Sequence, residues 1–156
     1  MNQNRKAFLD MIAFSEGTKG KGDNGYNVLV GGKLFAGYAD HPRVKLYETK
    51  DEFIRNGKKD YSTAAGRYQI LAKYFDAYKK QLNLPDFSPE SQDKIALQLI
   101  KECNALADID DGRFYLALTK CKSRWASLPG AGYGQHENKS DTLLLVYQQA
   151  GGVIST

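Results

Sequence analysis

Strand-like and helix-like segments are segregated along this sequence, and their order limits the folds available to the chain. Residues 26–38 consist of two apolar runs on either side of Gly31-Gly32, a dipeptide that accepts the positive φ of a hairpin turn. Residues 61–65 can add a third short strand, whereas the segments before and after follow the helical period. Because strands and helices do not alternate, we expect an α+β fold with a small antiparallel sheet.

Helices are predicted where apolar residues recur at spacings of three and four. The first covers residues 3–16, stops before Gly17, and precedes a glycine-rich loop at 17–25 that we expect to be mobile. Later helices are predicted at 69–82, 89–103, 111–127 and 139–150, the second of these with Ser88 as its cap and Pro89 at its first position. We find no repeat and no linker, so residues 1–156 are expected to form a single domain.

Composition excludes several classes of protein. The net charge of +4 is mild, and no run of Lys and Arg reaches the roughly five to eight residues of a nucleic-acid patch. The N-terminus has no apolar signal core, and Asp10 and Glu16 interrupt any membrane span, so we expect a protein that stays in the cytoplasm of the cell that makes it. Cys103 and Cys121 lie on apolar helix faces and are expected as buried thiols, with one disulfide between neighbouring helices as the alternative.

Metal, thiol and nucleotide chemistry have little support. The two histidines, His41 and His136, lack partners at metal-ligand spacing, and the cysteines are not placed as exposed nucleophiles. No phosphate-binding Gly-x-x-x-x-Gly-Lys motif occurs. We therefore expect no metal and no cofactor, and we expect His41, next to Pro42, to hold a loop.

Glu16 stands out as an acidic residue at the predicted C-terminal end of a helix. The negative end of the helix dipole disfavours a charged carboxylate there by some tenths to about 1 kcal/mol, which favours the protonated form. A general acid working near neutral pH must keep its proton. Glu16 is therefore a candidate catalytic acid, and an exposed surface glutamate is the alternative from position alone.

Two loops combine glycine with aromatic and polar side chains. They are residues 64–69 (AAGRYQ), at a strand-to-helix corner, and residues 129–135 (PGAGYGQ), between helices. Glycine lets a backbone approach a ligand closely, tyrosine stacks on sugar faces, and Gln and Arg bond hydroxyl and carboxylate groups. The combination favours a carbohydrate groove, although each loop alone is also consistent with ordinary turn chemistry.

A second catalytic carboxylate is hard to identify, although glycoside hydrolysis usually uses two. Asp23 lies in the glycine-rich loop, and Asp40 and Asp60 are more typical of solvated turn residues. A single acid can instead protonate the leaving oxygen and then, as a base, activate the 6-hydroxyl of the sugar itself. The product is an internal 1,6-anhydro ring, and no water is consumed.

The order of short motifs along nearly the whole chain resembles the phage lambda endolysin family. The matching segments are 5–11 (RKAFLDM), 15–18 (SEGT), 25–26 (GY), 30–32 (VGG), 34–35 (LF), 40–43 (DHPR), 66–69 (GRYQ) and 125–135 (WASLPGAGYGQ). The family implies a lysozyme-like fold, with an N-terminal helix, a small sheet lobe, a mainly helical lobe and a cleft between the lobes. It also implies a lytic transglycosylase that cleaves the β-1,4 bond between N-acetylmuramic acid and N-acetylglucosamine in peptidoglycan, for lysis of the host.

The resemblance assigns roles to individual positions. Glu16 matches the catalytic acid of the family. The expected glycan contacts are Tyr26, Asn27 and Gly31 on the β-edge, Gly66, Arg67, Tyr68 and Gln69 in the Gly-x-x-Gln signature, and Tyr133 and Gln135 on the second cleft wall. The chain departs from the family over residues 44–60 and at Asn27, where an aspartate is expected. Asn27 can hydrogen-bond but cannot act as a base, which leaves Glu16 to serve as both acid and base.

Peptidoglycan strands are the expected partner, with no nucleic acid and no stable membrane insertion, and the protein is expected to be a monomer. The resemblance implies dependence on a holin for passage from the host cytoplasm to the cell wall in the periplasm. Two alternatives stay open: a hydrolytic muramidase using the same site, and a non-catalytic cell-wall binding module.

Overall fold

The computed structural model describes residues 1–44, 46–47, 54–55, 58–59, 61–131 and 138–155. The chain forms two compact units, one made of Met1–Gly17 with Ala96–Thr156 and the other of Thr18–Ile95. The helices are α1 (Gln3–Ser15), α2 (Ala72–Leu82), α3 (Pro89–Glu102), α4 (Leu106–Asp110), α5 (Phe114–Cys121) and α6 (Ser140–Gln149). The strands are β1 (Leu46–Tyr47), β2 (Ile54–Arg55), β3 (Lys58–Lys59) and β4 (Tyr61–Ser62).

The first unit is built around α1, which packs against α6 and α4. Three aromatic rings form its centre: Phe8 lies 6.0 Å from Phe114 and 6.4 Å from Tyr147, and the last two are 4.7 Å apart. Asn2 caps the helix by accepting the N–H of Arg5 at 2.8 Å. The first predicted helix is therefore confirmed, and so is the last, α6.

The helix predicted over 111–127 is wrong at both ends. The chain is already helical in α4, turns at Gly112, and stops again after Cys121. Gly112 has a φ of +79°, and a Cβ on it would lie 2.5 Å from the backbone nitrogen of Ser155. That nitrogen donates to the carbonyl of Gly112 at 3.0 Å. The C-terminal segment thus occupies the space that a side chain at position 112 would need. No local sequence pattern indicates this contact.

The second unit carries less strand than predicted. Antiparallel pairs join β1 to β4 and β2 to β3, each over two residues. The hairpin expected at 26–38 is short: Val28 and Leu34 are bridged, and the N–H groups of Leu29 and Phe35 donate across the turn to the carbonyls of Lys33 at 2.6 Å and Asn27 at 2.9 Å. Leu29 is also bridged to Ala65. The turn at Gly31-Gly32 does adopt positive φ at both glycines, +86° and +98°. Pairing is short because neighbouring residues bond to different segments of the chain.

The helices of the second unit begin close to the predicted positions. Ser88 caps α3, its hydroxyl accepting the N–H of Ser91 at 3.3 Å, so the predicted start at Pro89 is confirmed. Helix α2 starts at Ala72 rather than 69, because Gln69 is left-handed with a φ of +54° and Ile70 is bridged to Ala65. Within the described ranges, no helix has both the length and the apolar character needed to cross a bilayer.

Candidate active site

Glu16 is the C-cap of α1, as the sequence predicted. Its N–H donates to the carbonyl of Ile12 at 2.8 Å, and Gly17 follows with a φ of +78° that ends the helix. The residue is half-buried. The helix therefore fixes the backbone from which the carboxylate projects, and the left-handed glycine turns the chain away immediately after it.

The residue before Glu16 is anchored by side chains from distant parts of the first unit. The buried hydroxyl of Ser15 lies 2.7 Å from that of Ser127. The amide of Asn138 donates to both the carbonyl and the hydroxyl of Ser15, at 3.1 Å each. The end of α1 is thus held on its flank as well as by its own helical hydrogen bonds, a rigidity that suits a catalytic acid.

The loop after Gly17, expected to be mobile, is a series of hydrogen-bonded turns. The buried hydroxyl of Thr18 donates to the carbonyl of Arg67 at 2.5 Å. Gly25 packs so closely on Thr18 that a Cβ would lie 2.8 Å from its carbonyl oxygen. Further along, the side-chain oxygen of Asn27 accepts the N–H of Asp23 at 2.8 Å. Asn27 therefore stabilises this loop, with its side chain half-buried.

The Gly-x-x-Gln segment is a tight loop closed at its base. Ala65 and Ile70 exchange backbone hydrogen bonds of 3.1 and 2.9 Å, and the residues between them form turns. Gly66 has a φ of +83°, and a Cβ there would collide with the amide of Gln92 and lie 2.9 Å from the ring of Phe87. Only glycine fits this position, because both the backbone conformation and the space exclude a side chain.

Arg67 and Tyr68, which the resemblance assigns to the glycan, lie inside the unit and not on its surface. Tyr68 is 1% exposed and Arg67 3% exposed. The hydroxyl of Tyr68 donates to Asp93 at 2.5 Å, and the guanidinium of Arg67 donates to that hydroxyl at 3.2 Å and to the carbonyl of Asn24 at 3.0 Å. Their polar groups therefore hold the loop in place.

Tyr26 also belongs to this network, and it lies in the turn before Val28. Its hydroxyl donates to Asp93 at 2.9 Å, its ring meets that of Tyr68 edge-on at 6.4 Å, and the Arg67 guanidinium lies 5.3 Å from its centroid. Burial first, and then the negative charge of Asp93, raise the pKa of both tyrosines, so both stay protonated donors. Tyr26 is half-buried, so part of its side chain faces outward.

Gln69 is the member of the signature that keeps a partly accessible side chain. Its Nε2 donates to the carbonyls of Gly66 at 2.9 Å and Val28 at 3.2 Å. A left-handed glutamine carries backbone strain of roughly 1–3 kcal/mol, and such strain clusters at functional sites. Gly31, in contrast, is exposed at the turn, and a Cβ on it would meet nothing within 4 Å.

His41 holds this loop from behind, which confirms the structural role predicted for it. Its Nε2 contacts the carbonyl of Ile70 at 2.8 Å, and its Nδ1 accepts the N–H of Arg43 at 2.9 Å, which makes Nε2 the donor. The ring packs on Phe87 at 4.8 Å and Phe75 at 5.9 Å. Burial lowers the pKa of His41 and keeps it neutral.

Two residues that sequence reasoning missed organise the network. Asp93 accepts both tyrosine hydroxyls, and the fully buried Gln92 accepts the N–H of Arg67 at 2.9 Å and donates to the carbonyls of Tyr26 and Phe87. Both lie on α3. Their one local signal is a polar pair on the buried side of an amphipathic helix, where an apolar residue is the norm.

Other predicted positions contribute less or lie elsewhere. Tyr133 and Gln135 fall outside the described residues, as does Asp60. Asp40 is exposed and bonded to Arg43, so it acts in an ion pair. Among the described residues, no group of three or more His, Cys, Asp or Glu side chains is arranged to hold a metal ion.

Comparison with known proteins gives the class of the fold and then the family. The structure superposes on bacteriophage lambda lysozyme complexed with a chitohexasaccharide with a TM-score of 0.91 and 50% identity, over 99% of this chain and 98% of that one. A second solved structure of lysozyme from bacteriophage lambda gives a TM-score of 0.86 at 49% identity, with the same coverage. The fold is that of a lysozyme.

Sequence comparison is equally specific. The chain is 51% identical to the endolysin of Escherichia phage lambda, over 99% of this chain and 95% of the relative. It is 49% identical to the endolysin of Escherichia phage P2, over 97% and 95%. The Endolysin family model matches residues 6–154, and the chain belongs to the endolysin family.

Proposed function

We propose that this phage endolysin is a lytic transglycosylase that uses Glu16 as both acid and base. As a family member with a lysozyme fold, it is a lysozyme-type glycosidase that degrades peptidoglycan. The bond attacked is the β-1,4 linkage between N-acetylmuramic acid and N-acetylglucosamine. The observation that carries the proposal is the placement of Glu16: a half-buried carboxyl at a helix terminus, fixed through Ser15.

The reaction needs one residue that gives and takes a proton. Glu16 protonates the glycosidic oxygen as the bond to C1 of the muramic acid breaks. The resulting carboxylate then removes the proton of the 6-hydroxyl of the same sugar, whose oxygen bonds to C1. The product is a 1,6-anhydro ring, and the acid regains its proton without consuming water.

The other carboxylates near the predicted glycan contacts support a single-acid mechanism, because each has a structural partner. Asp93 accepts the hydroxyls of Tyr26 and Tyr68, and Asp23 accepts that of Tyr38 at 2.6 Å. Asn27, where the family pattern leads one to expect an acid, is neutral and bonded to Asp23. Among the residues described in the second unit, these groups serve the fold and offer no obvious nucleophile for a hydrolytic double displacement.

We infer that the glycan contacts Gly31, Tyr26, Asn27 and Gln69, with Gly66 allowing close approach of the backbone and Tyr133 and Gln135 supplying the second wall. The related lambda lysozyme is known in complex with a chitohexasaccharide, which supports a polymeric amino-sugar ligand for this chain. Arg67 and Tyr68 enter this scheme as supports of the loop, since both are buried. No metal or cofactor is required by a proton-transfer mechanism.

The proposal extends to organisation and place of action. Residues 1–156 work as one catalytic domain in a monomer. The protein is made in the host cytoplasm and reaches the cell wall in the periplasm after a holin has permeabilised the membrane. Size-exclusion chromatography with light scattering tests the monomer, and lysis in hosts with and without a holin gene tests the dependence on membrane permeabilisation.

Mass spectrometry of digested peptidoglycan tests the chemistry. Transglycosylation gives muropeptides with anhydromuramic ends, lighter by one water than those of a hydrolase. Reducing muramic ends alone would establish the hydrolytic muramidase instead.

Two variants accompany that experiment. Glu16→Gln should lose roughly 100-fold or more of the lytic rate while still sedimenting with purified sacculi. Undiminished lysis by this variant would contradict the role of Glu16, and absence of lysis by the wild-type protein alongside sacculus binding would indicate a cell-wall binding module. Asn27→Asp keeps the oxygen that accepts the N–H of Asp23, so it should change the rate by less than about tenfold and leave the anhydro product unchanged.

A further inference from the structure

Cys103 and Cys121 lie near each other in the first unit, although they belong to different helical segments. Cys103 directly follows α3, and Cys121 is the last residue of α5. Both are free thiols, Cys103 half-buried and Cys121 fully buried, and after burial the nearby Cys103 is the next cause that raises the pKa of Cys121. The predicted burial of Cys121 is confirmed. In this structure the two residues are thiols, and the alternative disulfide is not formed.

Hydrogen bonds on both sides of the thiol pair hold the two segments together. On one side, the ammonium of Lys120 donates to the carbonyl of Asn104 at 3.2 Å. On the other, the guanidinium of Arg124 donates to Glu102 at 3.0 Å. The two segments run in opposite directions: Lys120 pairs with Asn104 and Arg124 with Glu102, which leaves Cys121 next to Cys103. These contacts therefore hold the segment that carries Cys103 alongside the segment that carries Cys121.

Lys120 also ties this region to the buried Asp108, to which its ammonium donates at 2.6 Å. Asp108 has a second cation in Arg113 at 2.8 Å. The backbone that carries the thiols is thus fixed by ion pairs on the α4 side as well. Because these bonds hold the two segments together, a cross-link between the cysteines needs less movement of the backbone than one between unconnected segments.

We propose that Cys103 and Cys121 form an intramolecular disulfide when the protein meets an oxidising thiol–disulfide environment, and that this bond stabilises the native fold. The inference is independent of the transglycosylase mechanism. It assigns the pair as a site of oxidative modification, with a low-molecular-weight or protein disulfide as the oxidant.

The exposure of the two residues sets the order of events. Burial raises the pKa of Cys121, so its thiolate is scarce and inaccessible, whereas Cys103 can be reached from solvent. The thiolate of Cys103 attacks one sulfur of glutathione disulfide and releases one glutathione thiol. Cys121 then loses its proton and attacks the sulfur of Cys103, releasing a second glutathione. Two protein thiols are oxidised and one glutathione disulfide is reduced.

The bond would close a loop of nineteen residues, counted from 103 to 121 inclusive. A cross-link of this span restricts the unfolded chain and should raise the thermal unfolding midpoint by roughly 5–10 °C. The gain should vanish on addition of dithiothreitol.

The experiment oxidises the purified full chain with glutathione disulfide, then unfolds it in guanidinium chloride with N-ethylmaleimide so that every remaining thiol is alkylated, and measures the intact mass and the peptide map. We expect a monomer two hydrogens lighter, without maleimide, in which the peptides of Cys103 and Cys121 are linked. Two alkylated thiols, a persistent glutathione adduct or a covalent dimer would each overturn the proposal. A linked protein whose midpoint does not rise would overturn the stabilising role.

Single serine variants separate the two thiols. Cys121→Ser should stop at a stable glutathione adduct on Cys103, and Cys103→Ser should remain largely unmodified because Cys121 is buried. Where Cys121→Ser does not fold, Cys121→Ala gives the same test without a buried hydroxyl. Equal reactivity of both single variants would contradict the order of events and the burial on which it rests.

Discussion

Tyr68 donates its hydroxyl to Asp93 at 2.5 Å, and this bond joins the Gly-x-x-Gln loop to helix α3. Tyr26 donates to the same carboxylate oxygen at 2.9 Å. One acidic side chain thus fixes two tyrosines that sequence alone assigns to the glycan. The Asp93 carboxylate therefore holds both tyrosines in place at the proposed binding surface. Replacing it should disturb that surface even if Asp93 itself does not touch the glycan.

Asp93→Asn tests this support. The neutral amide accepts the two tyrosine hydroxyls more weakly, so the free energy of unfolding should fall by about 1–3 kcal/mol, with a loss of lytic rate. Urea denaturation and turbidity assays measure the two effects. Glu90→Gln on the same helix is the matched control, because Glu90 is exposed and its ion pair with Lys94, at 3.3 Å, lies on the surface. It should change stability by less than about 0.5 kcal/mol, and equal effects of both variants would contradict the role of Asp93.

Gly66→Ala tests the close approach behind the signature loop. The added methyl group meets Gln92 and Phe87 in a left-handed backbone, so unfolding should become easier by about 2–4 kcal/mol. Gly31→Ala has a similar φ, +86° against +83°, but open space around its Cβ. It should cost only the backbone strain of about 1–2 kcal/mol. If Gly66→Ala lowered the free energy of unfolding no more than Gly31→Ala, close packing against Gln92 and Phe87 would not be the reason for glycine at position 66.

His41→Gln tests the histidine that holds the loop. Burial lowers the pKa of His41, while Asp40 and Asp76 oppose the shift and Arg43 adds to it. Below the unfolded value of about 6.5, the unfolded chain takes up a proton that the folded chain refuses, so stability falls with decreasing pH. We expect a loss of wild-type stability between about pH 7 and 5, read from thermal melts.

The glutamine variant should show a flatter profile over that range, because its amide does not titrate. An unchanged slope in His41→Gln would remove this histidine as the source of the pH dependence.

Asp108→Asn tests the buried ion pairs of the first unit. Hydrogen bonds from Lys120 and Arg113 lower the pKa of Asp108, so its stabilisation is present above the unfolded value of about 3.9 and is lost as pH falls through the lowered folded value. At pH 7 the variant should be less stable by about 1–2 kcal/mol. The difference should shrink below about pH 4. Asp111→Asn, which also removes a bond to Arg113 but from an exposed carboxylate, should cost little at any pH.

Sequence reasoning worked best where the signal was local. Helix α1, its end at Glu16, and the start of α3 at Pro89 follow from apolar spacing and capping residues within a few positions. The positive φ of Gly31-Gly32 is likewise a property of the dipeptide. The position of His41 next to Pro42 indicated a loop-holding role, although not the carbonyl of Ile70 that it binds.

The misses arise from contacts between residues far apart in the chain. The break at Gly112 depends on Ser155, and the pairing of Leu29 with Ala65 joins the hairpin to a segment far along the chain. Arg67 and Tyr68 look like surface residues because their neighbours are glycine and glutamine. Their burial depends on Asp93, twenty-five positions from Tyr68, and no spacing rule links the two.

The bonds around Ser127 have a consequence for how such a protein can diverge. The N–H of Asn138 donates to the carbonyl of Ser127 at 2.9 Å, and both residues bind Ser15. The ten residues from 128 to 137 are therefore flanked by two residues that both bind Ser15, the residue before Glu16. Closing such a loop costs only about 0.6 kcal/mol more for each doubling of its length. Changes in the length of this stretch should therefore cost little stability and leave Ser15, next to Glu16, in place.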